Sequence, residues 1–288
     1  MLRLSYERWL LLHRFTGLFV IIGALHGLLV DRVIVASTVL RVVFLFISLV
    51  GVSAYLYTEL VMRRVGPSAD YTGAAVQRPD EEVLEVQLAP VGTPLRPRAG
   101  QFIFPSFGGD DRWREHPFSV AGVAADGALR LAIRALGADT RRLHERLRPV
   151  DARHRHRPVR DVRGGPRQVW VAGGIGVVPF LSWLAEPAPG DGRRVDFFYS
   201  ASSEAAATYL PEIRAAEAAV AGLQVHPVLT DSAPRLTTRQ ILDTVGGPPA
   251  DLHVFLCGPQ GLVDDLSRGW RRAGVARDHL HAEEYAFR

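Results

Sequence analysis

A hydrophobic strand that passes through three glycines into a helix, Val169-Trp170-Val171-Ala172-Gly173-Gly174-Ile175-Gly176-Val177-Val178-Pro179-Phe180, limits the folds that can contain this chain. Glycines carry no side chain to hold a ligand off the backbone. The helix that follows offers its positive N-terminal end, so the shape suits a diphosphate. The spacing is not G-x-G-x-x-G, and glycines also serve plain αβ connections, so the run alone leaves both uses open.

From Arg167 onward, strands and helices alternate. Strands are expected at Gln168–Ala172, Arg194–Ser200, Leu223–Leu229 and Leu252–Cys257, with helices from Val178, around Pro211–Ala221, from Thr237 and from Gln260. That order predicts an open, mainly parallel α/β sheet, in which ligands bind beyond the carboxyl ends of strands. Gly173-Gly174-Ile175-Gly176, Tyr199-Ser200-Ala201-Ser202 and Cys257-Gly258-Pro259 all fall at such ends. The coincidence favours a dinucleotide over a mere connection. Cys257 is the sole cysteine; it reads either as a small buried hydrophobe or as a soft group beside a nicotinamide.

At 288 residues the chain has room for about two domains, each with its own core. Ahead of the α/β region, Glu82–Ala89, Gly100–Phe107, His116–Val123 and Ala128–Ala135 read as strands, with a turn at Asp126-Gly127. Short strands at this spacing predict a small antiparallel barrel. Inside it lies Arg114-Glu115-His116-Pro117-Phe118-Ser119. There Phe118 can pack near a flavin ring, Ser119 can donate to its N5, and Arg114 or His116 can meet phosphate or ring oxygens. Residues Gly66 to Asp80 read as a polar linker.

The net charge is +4, carried by arginine with no lysine, and acids are interspersed among the bases. No one-sided basic stripe, zinc-finger or helix-turn-helix pattern is present, so nucleic acid is not an expected partner. One cysteine excludes a disulfide framework and a cysteine-ligated cluster.

The first 65 residues are apolar from Trp9 to Val30 and again from Val42 to Met62, each run about long enough to cross a bilayer. A cleavable leader is the competing reading of the first run, but no A-x-A-like site follows it and a second apolar run does. Two membrane helices are expected. Arg3, Arg8, Arg63 and Arg64 flank their outer ends, against Arg32 and Arg41 between them, which places both termini and all that follows in the cytoplasm. His13 and His26 lie within the first run, about 20 Å apart along a helix, too far to ligate one iron. Two readings stand: each supplies an axial imidazole to a different haem, or His13 is an interfacial polar group and His26 hydrogen-bonds within the bundle. On a straight helix the two rings point well over a quarter-turn apart; Gly17, Gly23 and Gly27 are where distortion would be accommodated.

Taken in order, His116-Pro117-Phe118-Ser119, Gly173 to Phe180, Phe255-Leu256-Cys257-Gly258-Pro259 and the terminal His281-Ala282-Glu283-Glu284-Tyr285-Ala286-Phe287-Arg288 resemble the ferredoxin-NADP reductase-like fold. The chain is most similar to its ferric reductase and NADPH oxidase branch, in which that module follows haem-bearing membrane helices. Tyr6-Glu7-Arg8-Trp9, His13-Arg14 and His26 look like one of that branch's haem-ligating helices. The resemblance implies three parts: a membrane α-helical N-terminus at 1–65, an antiparallel FAD-binding β-barrel at 66–165, and an open parallel-sheet α/β domain for NADH or NADPH at 166–288. It implies that Ser119, with Pro117, Phe118, His116 and Arg114 nearby, contacts FAD, and that Gly137 to Thr140 lie near its pyrophosphate. It implies that Gly173, Gly174, Ile175, Gly176 and Pro179, with Gly258 and Pro259, hold the nicotinamide dinucleotide. Ser119, Cys257 and Glu283 then border the hydride-transfer position, and Tyr285 or Phe287 shields the flavin face. The implied activity is hydride transfer from NAD(P)H to the flavin and single-electron transfer onward, to haem b, ferric iron or oxygen, in a multi-pass plasma-membrane protein.

The chain departs from the branch twice. Two apolar runs and one histidine pair replace a larger helical bundle, so further axial ligands come from upstream helices or a partner subunit, or no haem is bound. Between Asp151 and Arg163 stands a run of arginines and histidines with no strand alternation, expected as a solvated loop that can touch anionic lipid headgroups and that leaves the barrel's closure and FAD affinity open. Two alternatives accompany the main reading: a membrane-tethered reductase serving a cytoplasmic protein or quinone without haem, and a non-catalytic dinucleotide-binding fragment.

Overall fold

The computed structural model describes residues 6–29, 32, 36–57, 68–107, 117–136, 138–146, 152–157, 165–185 and 192–284. The chain divides into two compact units, Met1–Gly66 with Arg288 and Pro67–Phe287.

Among the described residues, the first unit holds the helices Tyr6–Leu29 and Thr38–Leu56. Each begins a few residues before the apolar run expected from sequence. Ser37 caps the second: its side chain accepts from the Leu40 N–H at 3.4 Å and its carbonyl from the Arg41 N–H at 2.9 Å. The two run antiparallel, and glycine sets their approach: a Cβ on Gly17 would fall 2.5 Å from Tyr55 Cδ2, and one on Gly27 2.5 Å from Phe44 Cζ. Small residues at a helix–helix contact let the two elements approach closely. Large apolar side chains are exposed among the described residues, with Phe19 70%, Leu29 78%, Val39 72% and Phe46 66% exposed. By length and composition Thr38–Leu56 suffices to cross a membrane, with mean hydropathy 2.2, while Phe15–Leu29 is a shorter apolar stretch.

The second unit opens with a closed six-stranded barrel: β1 Ser68–Gln77, β2 Val83–Val91, β3 Phe102–Phe107, β4 Phe118–Val123, β5 Leu129–Arg134 and β6 Ala152–Arg157, in the order β1-β2-β5-β4-β3-β6. Alternation on β2 and β5 sends Leu84, Val86, Leu88, Leu129, Leu131 and Ile133 inward, where they meet Ile103, Phe118 and Val120. The turn between β4 and β5 falls where Asp126-Gly127 predicts it. Gly127 takes φ +86°, and the Asp126 carboxylate accepts from the Ala128 N–H at 2.9 Å.

Two expectations are overturned here. The supposed linker before Asp80 contains β1, anchored by Tyr71, which is buried in the barrel and whose hydroxyl accepts from the Leu95 N–H at 2.9 Å. The Arg/His run expected as a lipid-facing loop contains β6, which pairs antiparallel with β1 (Ser68↔Arg155) and with β3 (Phe102↔Arg157) and closes the barrel. A strand paired on both sides satisfies its backbone through two ladders, so it forms without apolar alternation.

The rest of the unit is a parallel sheet, β7 Arg167–Gly173, β8 Arg194–Ala201, β9 Leu223–Leu229, β10 His253–Gly258 and β11 Leu280–Glu284, in the order β11-β10-β7-β8-β9. Four of the strands match expectation, whereas β11 was not anticipated. Strand β7 is apolar throughout because both faces are covered. Trp170 packs with Phe180, Phe197 and Phe255 on one side, and Val169 and Val171 with Phe198, Leu266 and Trp270 on the other. The first strand in sequence lies in the middle, with its successors on one side and β10 and β11 on the other, so the strand order reverses between β7 and β10. A crevice at such a reversal is where open α/β sheets bind ligands.

At the opposite end of β10, His253 stacks on His279 with ring centroids 3.8 Å apart. Burial and the neighbouring His279 hold the His253 pKa below its ordinary value, with Asp278 acting against them. A histidine harder to protonate folded than unfolded leaves stability intact above its unfolded pKa, about 6.5, and penalises the fold as pH drops below it. The melting temperature is expected to fall as pH is lowered from about 6.5, and His253→Phe to flatten that fall; parallel curves for the two proteins would reject the assignment.

Candidate functional site

At the strand reversal, β7 ends in Gly173 and a 3₁₀ turn, Gly174–Val177, leads into the helix Val178–Ala185. Beside it, β10 ends in Cys257-Gly258 and Pro259 caps the helix Gln260–Ala273. Gly174 takes φ +53°, in the left-handed region. The other glycines are required by packing. A Cβ on Gly176 would lie 2.6 Å from the Cys257 carbonyl carbon, one on Gly173 2.8 Å from Pro259 Cδ, and one on Gly258 3.0 Å from the Gly173 nitrogen. The two strand ends therefore touch backbone to backbone, a demand separate from any ligand.

Facing this turn is a cleft lined by Pro117, Phe118, Ser119, Arg134, Thr140, Ile175 and Val178 among others. The β4 motif, the end of β5, the helix Ala138–Arg146 and the glycine turn thus meet at one place. Phe118 is buried in the barrel core while Ser119 is half-buried. The Arg134 guanidinium reaches the glycine turn, 3.1 Å from where a Gly174 Cβ would stand. Its Nε donates to Glu82 Oε2 at 2.8 Å and its Nη2 donates to the same oxygen. Next to it, burial pushes the Tyr199 hydroxyl up to about 12, with Asp80 adding and Arg134 opposing, so the phenol stays protonated at neutral pH.

Three ties hold the barrel against the sheet around this cleft. The Gly100 N–H donates to Ser182 Oγ at 2.8 Å, and Ser182 donates to the Pro179 carbonyl at 2.7 Å. Arg130 on β5 pairs with Glu212 at 2.7 Å. The Thr208 hydroxyl donates to Asp80. With both walls fixed, a bound ligand meets a preformed site.

Of the residues singled out from sequence, Pro117, Phe118, Ser119, Thr140 and Ile175 line the cleft. Gly173, Gly174, Gly176, Pro179, Cys257, Gly258 and Pro259 form the adjoining strand ends, with Cys257 opposite Ala172 on one side and Glu283 on the other. Cys257 is 3% exposed and belongs to the sheet core; Glu283 is exposed. Arg114, His116, Gly137, Tyr285 and Phe287 lie outside the described residues, as does the side chain of His13. His26 is exposed on its helix, and no cluster of three or more metal-ligating side chains occurs among the described residues. Sequence reasoning missed Arg134 and Glu82. The available signal was a pair of arginines, Arg130 and Arg134, at non-core positions of an otherwise apolar strand.

A small closed barrel is fixed against a parallel sheet, with the cleft at the strand reversal. The comparisons agree. Residues 69–169 match the family described as FAD-binding domain. A vanillate O-demethylase oxidoreductase from Pseudomonas putida is 30% identical over 125 residues, 42% of this chain and 38% of that protein. The chain thus spans well under half the length of this relative. Among solved structures, a flavohemoglobin from Malassezia yamatoensis with bound FAD and heme superposes with TM-score 0.70 at 18% identity, over 92% of this chain and 72% of its own. A ferredoxin NADP+ reductase from Neisseria gonorrhoeae with bound FAD and NADP gives TM-score 0.64 at 16% identity, over 75% and 98%. Residues 69–169 thus match an FAD-binding domain, and the barrel followed by a parallel sheet shares its fold with these solved structures.

Proposed function

We propose that this chain is a membrane-bound, FAD-dependent oxidoreductase that passes electrons from NADH or NADPH to a one-electron acceptor. The observation that carries the reading is the meeting of Ser119, Thr140 and Arg134 with the glycine turn in one cleft at the strand reversal. The residues fit FAD. Two hydroxyls and a guanidinium face an open cleft with apolar walls at Ile175 and Val178, the mixture a flavin with its diphosphate needs. Bound there, FAD supplies hydride acceptance from a nicotinamide and release of electrons one at a time. The protein's own residues orient and exclude water. With the cofactors bound, Ser119 would be the donor for the flavin, the strand ends at Gly174 and Cys257 would hold the nicotinamide dinucleotide, and Glu283 would border it. The phenol of Tyr199, neutral at working pH, offers no competing anion.

The acceptor has two readings. The exposed apolar helices favour one reached through the membrane: two haems b, with His13 an axial ligand of one, His26 of the other and the rest from upstream helices or a partner subunit, or ferric iron or oxygen beyond them. Of the two histidines, His26 has its side chain among the described residues. The likeness to an oxidoreductase component of an O-demethylase favours a protein acceptor instead. Absorbance spectra of the purified protein test the whole. A flavin band bleached by NADH or NADPH is expected, and a protein that folds but takes up neither flavin nor nicotinamide would refute the proposal. A reducible Soret band would select the haem reading and its absence the protein or quinone acceptor. Ser119→Ala is expected to retain flavin and slow its reduction by roughly tenfold to a hundredfold, the loss of one hydrogen bond to a polar reacting centre, measured by stopped-flow absorbance.

A further inference from the structure

Arg134 is the described cation in the cleft, and it is already engaged. Its partner, Glu82, stands at the start of β2 opposite it: Val83 pairs with Arg134 in register, and the Glu82 carbonyl accepts from the Ala135 N–H at 2.9 Å. Glu82 is placed from below by Asp80, whose Oδ1 accepts from the Glu82 and Val83 N–H groups at 2.7 and 2.8 Å. The other oxygen of Asp80 takes the Thr208 hydroxyl from the sheet side. The backbone that carries the carboxylate is therefore fixed by the same contact that ties barrel to sheet.

We propose that Glu82 is a built-in competitor for the anion site: it holds Arg134 at the glycine turn until a dinucleotide diphosphate displaces it, and so sets the affinity of the cleft. This rests on the dinucleotide reading above. The pair is of the exchangeable kind, since the Arg134 side chain is 34% and the Glu82 side chain 63% exposed. Exposed pairs of this sort hold weakly. A diphosphate brings more charge and two acceptor groups to a guanidinium suited to bidentate contact, so exchange runs toward the ligand. After exchange Glu82 is left beside an anion. Its charge then opposes the ligand it has released, and the carboxylate lowers affinity both before and after binding.

The diphosphate belongs either to FAD or to the nicotinamide dinucleotide, and the experiment separates them. FAD is titrated into flavin-free protein, NADH and NADPH into FAD-loaded protein, and inorganic diphosphate into flavin-free protein, each for wild type, Glu82→Gln, Arg134→Gln and the double variant. Binding is followed by fluorescence and the fold by thermal melting. Glu82→Gln is expected to tighten one of the two dinucleotides by roughly threefold to tenfold, with the gain absent in the double variant and shrinking as salt rises. The dinucleotide that gains identifies the source of the diphosphate. Equal or weaker binding of both by Glu82→Gln would overturn the proposal, because Glu82 would then be inert or would orient Arg134 for the ligand. If neither dinucleotide bound wild type, tighter inorganic diphosphate on Glu82→Gln would sustain the competitor while the functional reading fell, and unchanged diphosphate binding would sink both.

Discussion

Gly176→Ala is expected to destabilise the second unit by about 3 kcal/mol, at the upper end for overpacking a rigid site, and to weaken nicotinamide binding with it. The added carbon would lie 2.6 Å from the Cys257 carbonyl carbon and 2.8 Å from Gly258 Cα, both backbone atoms in the last turn of a buried strand. Neither can rotate away. Relief requires moving the end of β10 from the end of β7, which opens the junction where Trp183, Phe255 and Cys257 pack. Gly174→Ala is the informative contrast. Its φ of +53° is one an alanine adopts at a cost of about 1 kcal/mol, and the nearest atom to the new carbon is the end of the Arg134 side chain, at 3.1 Å. Urea melts of the two variants should therefore differ by about 2 kcal/mol. If instead both left stability untouched and lost only nicotinamide binding, the glycines would serve the phosphate alone and the packing account would be wrong.

The same glycines show what a sequence conveys. Three of the four anticipated parallel strands were legible because β7, β8 and β10 are mostly apolar on both faces, and the strand ends followed from the glycines and from Cys257-Gly258-Pro259. The reason for those glycines was not legible, since it lies in the approach of two segments more than eighty residues apart in sequence. Strands β1 and β6 escaped for a related cause. One is written in Gly, Ala and Thr around a single large anchor, Tyr71, and the other in Arg and His, so neither carries a period-two apolar signal. What specifies them is pairing to each other and to neighbours distant in sequence. The arginines of β5 were visible at its non-core positions, but the pairing of Arg134 with Glu82 was not, because the two are distant in sequence.

The full chain is expected to fractionate with membranes, to stay there through high salt and to require detergent for release. Helix Thr38–Leu56 contains twelve Leu, Ile, Phe and Val residues. At a few tenths of a kcal/mol each, their transfer to a bilayer contributes about −5 kcal/mol. Arg41 sits one turn from the helix start, where a long side chain reaches the headgroups instead of the hydrocarbon. The helix rises about 28 Å, close to the hydrocarbon thickness. Its apolar side chains are not spent on a protein core: no residue of this helix is buried. Arginine placement then gives direction. Arg3, Arg8, Arg63 and Arg64 at the outer ends outnumber Arg32 and Arg41 between the helices, so protease added to sealed inside-out vesicles should reach the barrel and sheet, while right-side-out vesicles protect them. Converting Leu45, Ile47 and Leu49 to Asp would add about 8 kcal/mol at the helix centre, more than the helix's whole apolar gain, and should move the chain to the soluble fraction or to aggregates. Recovery of the unaltered chain in buffer without detergent, monodisperse, would show that these faces are covered by protein and that the bilayer is not their solvent.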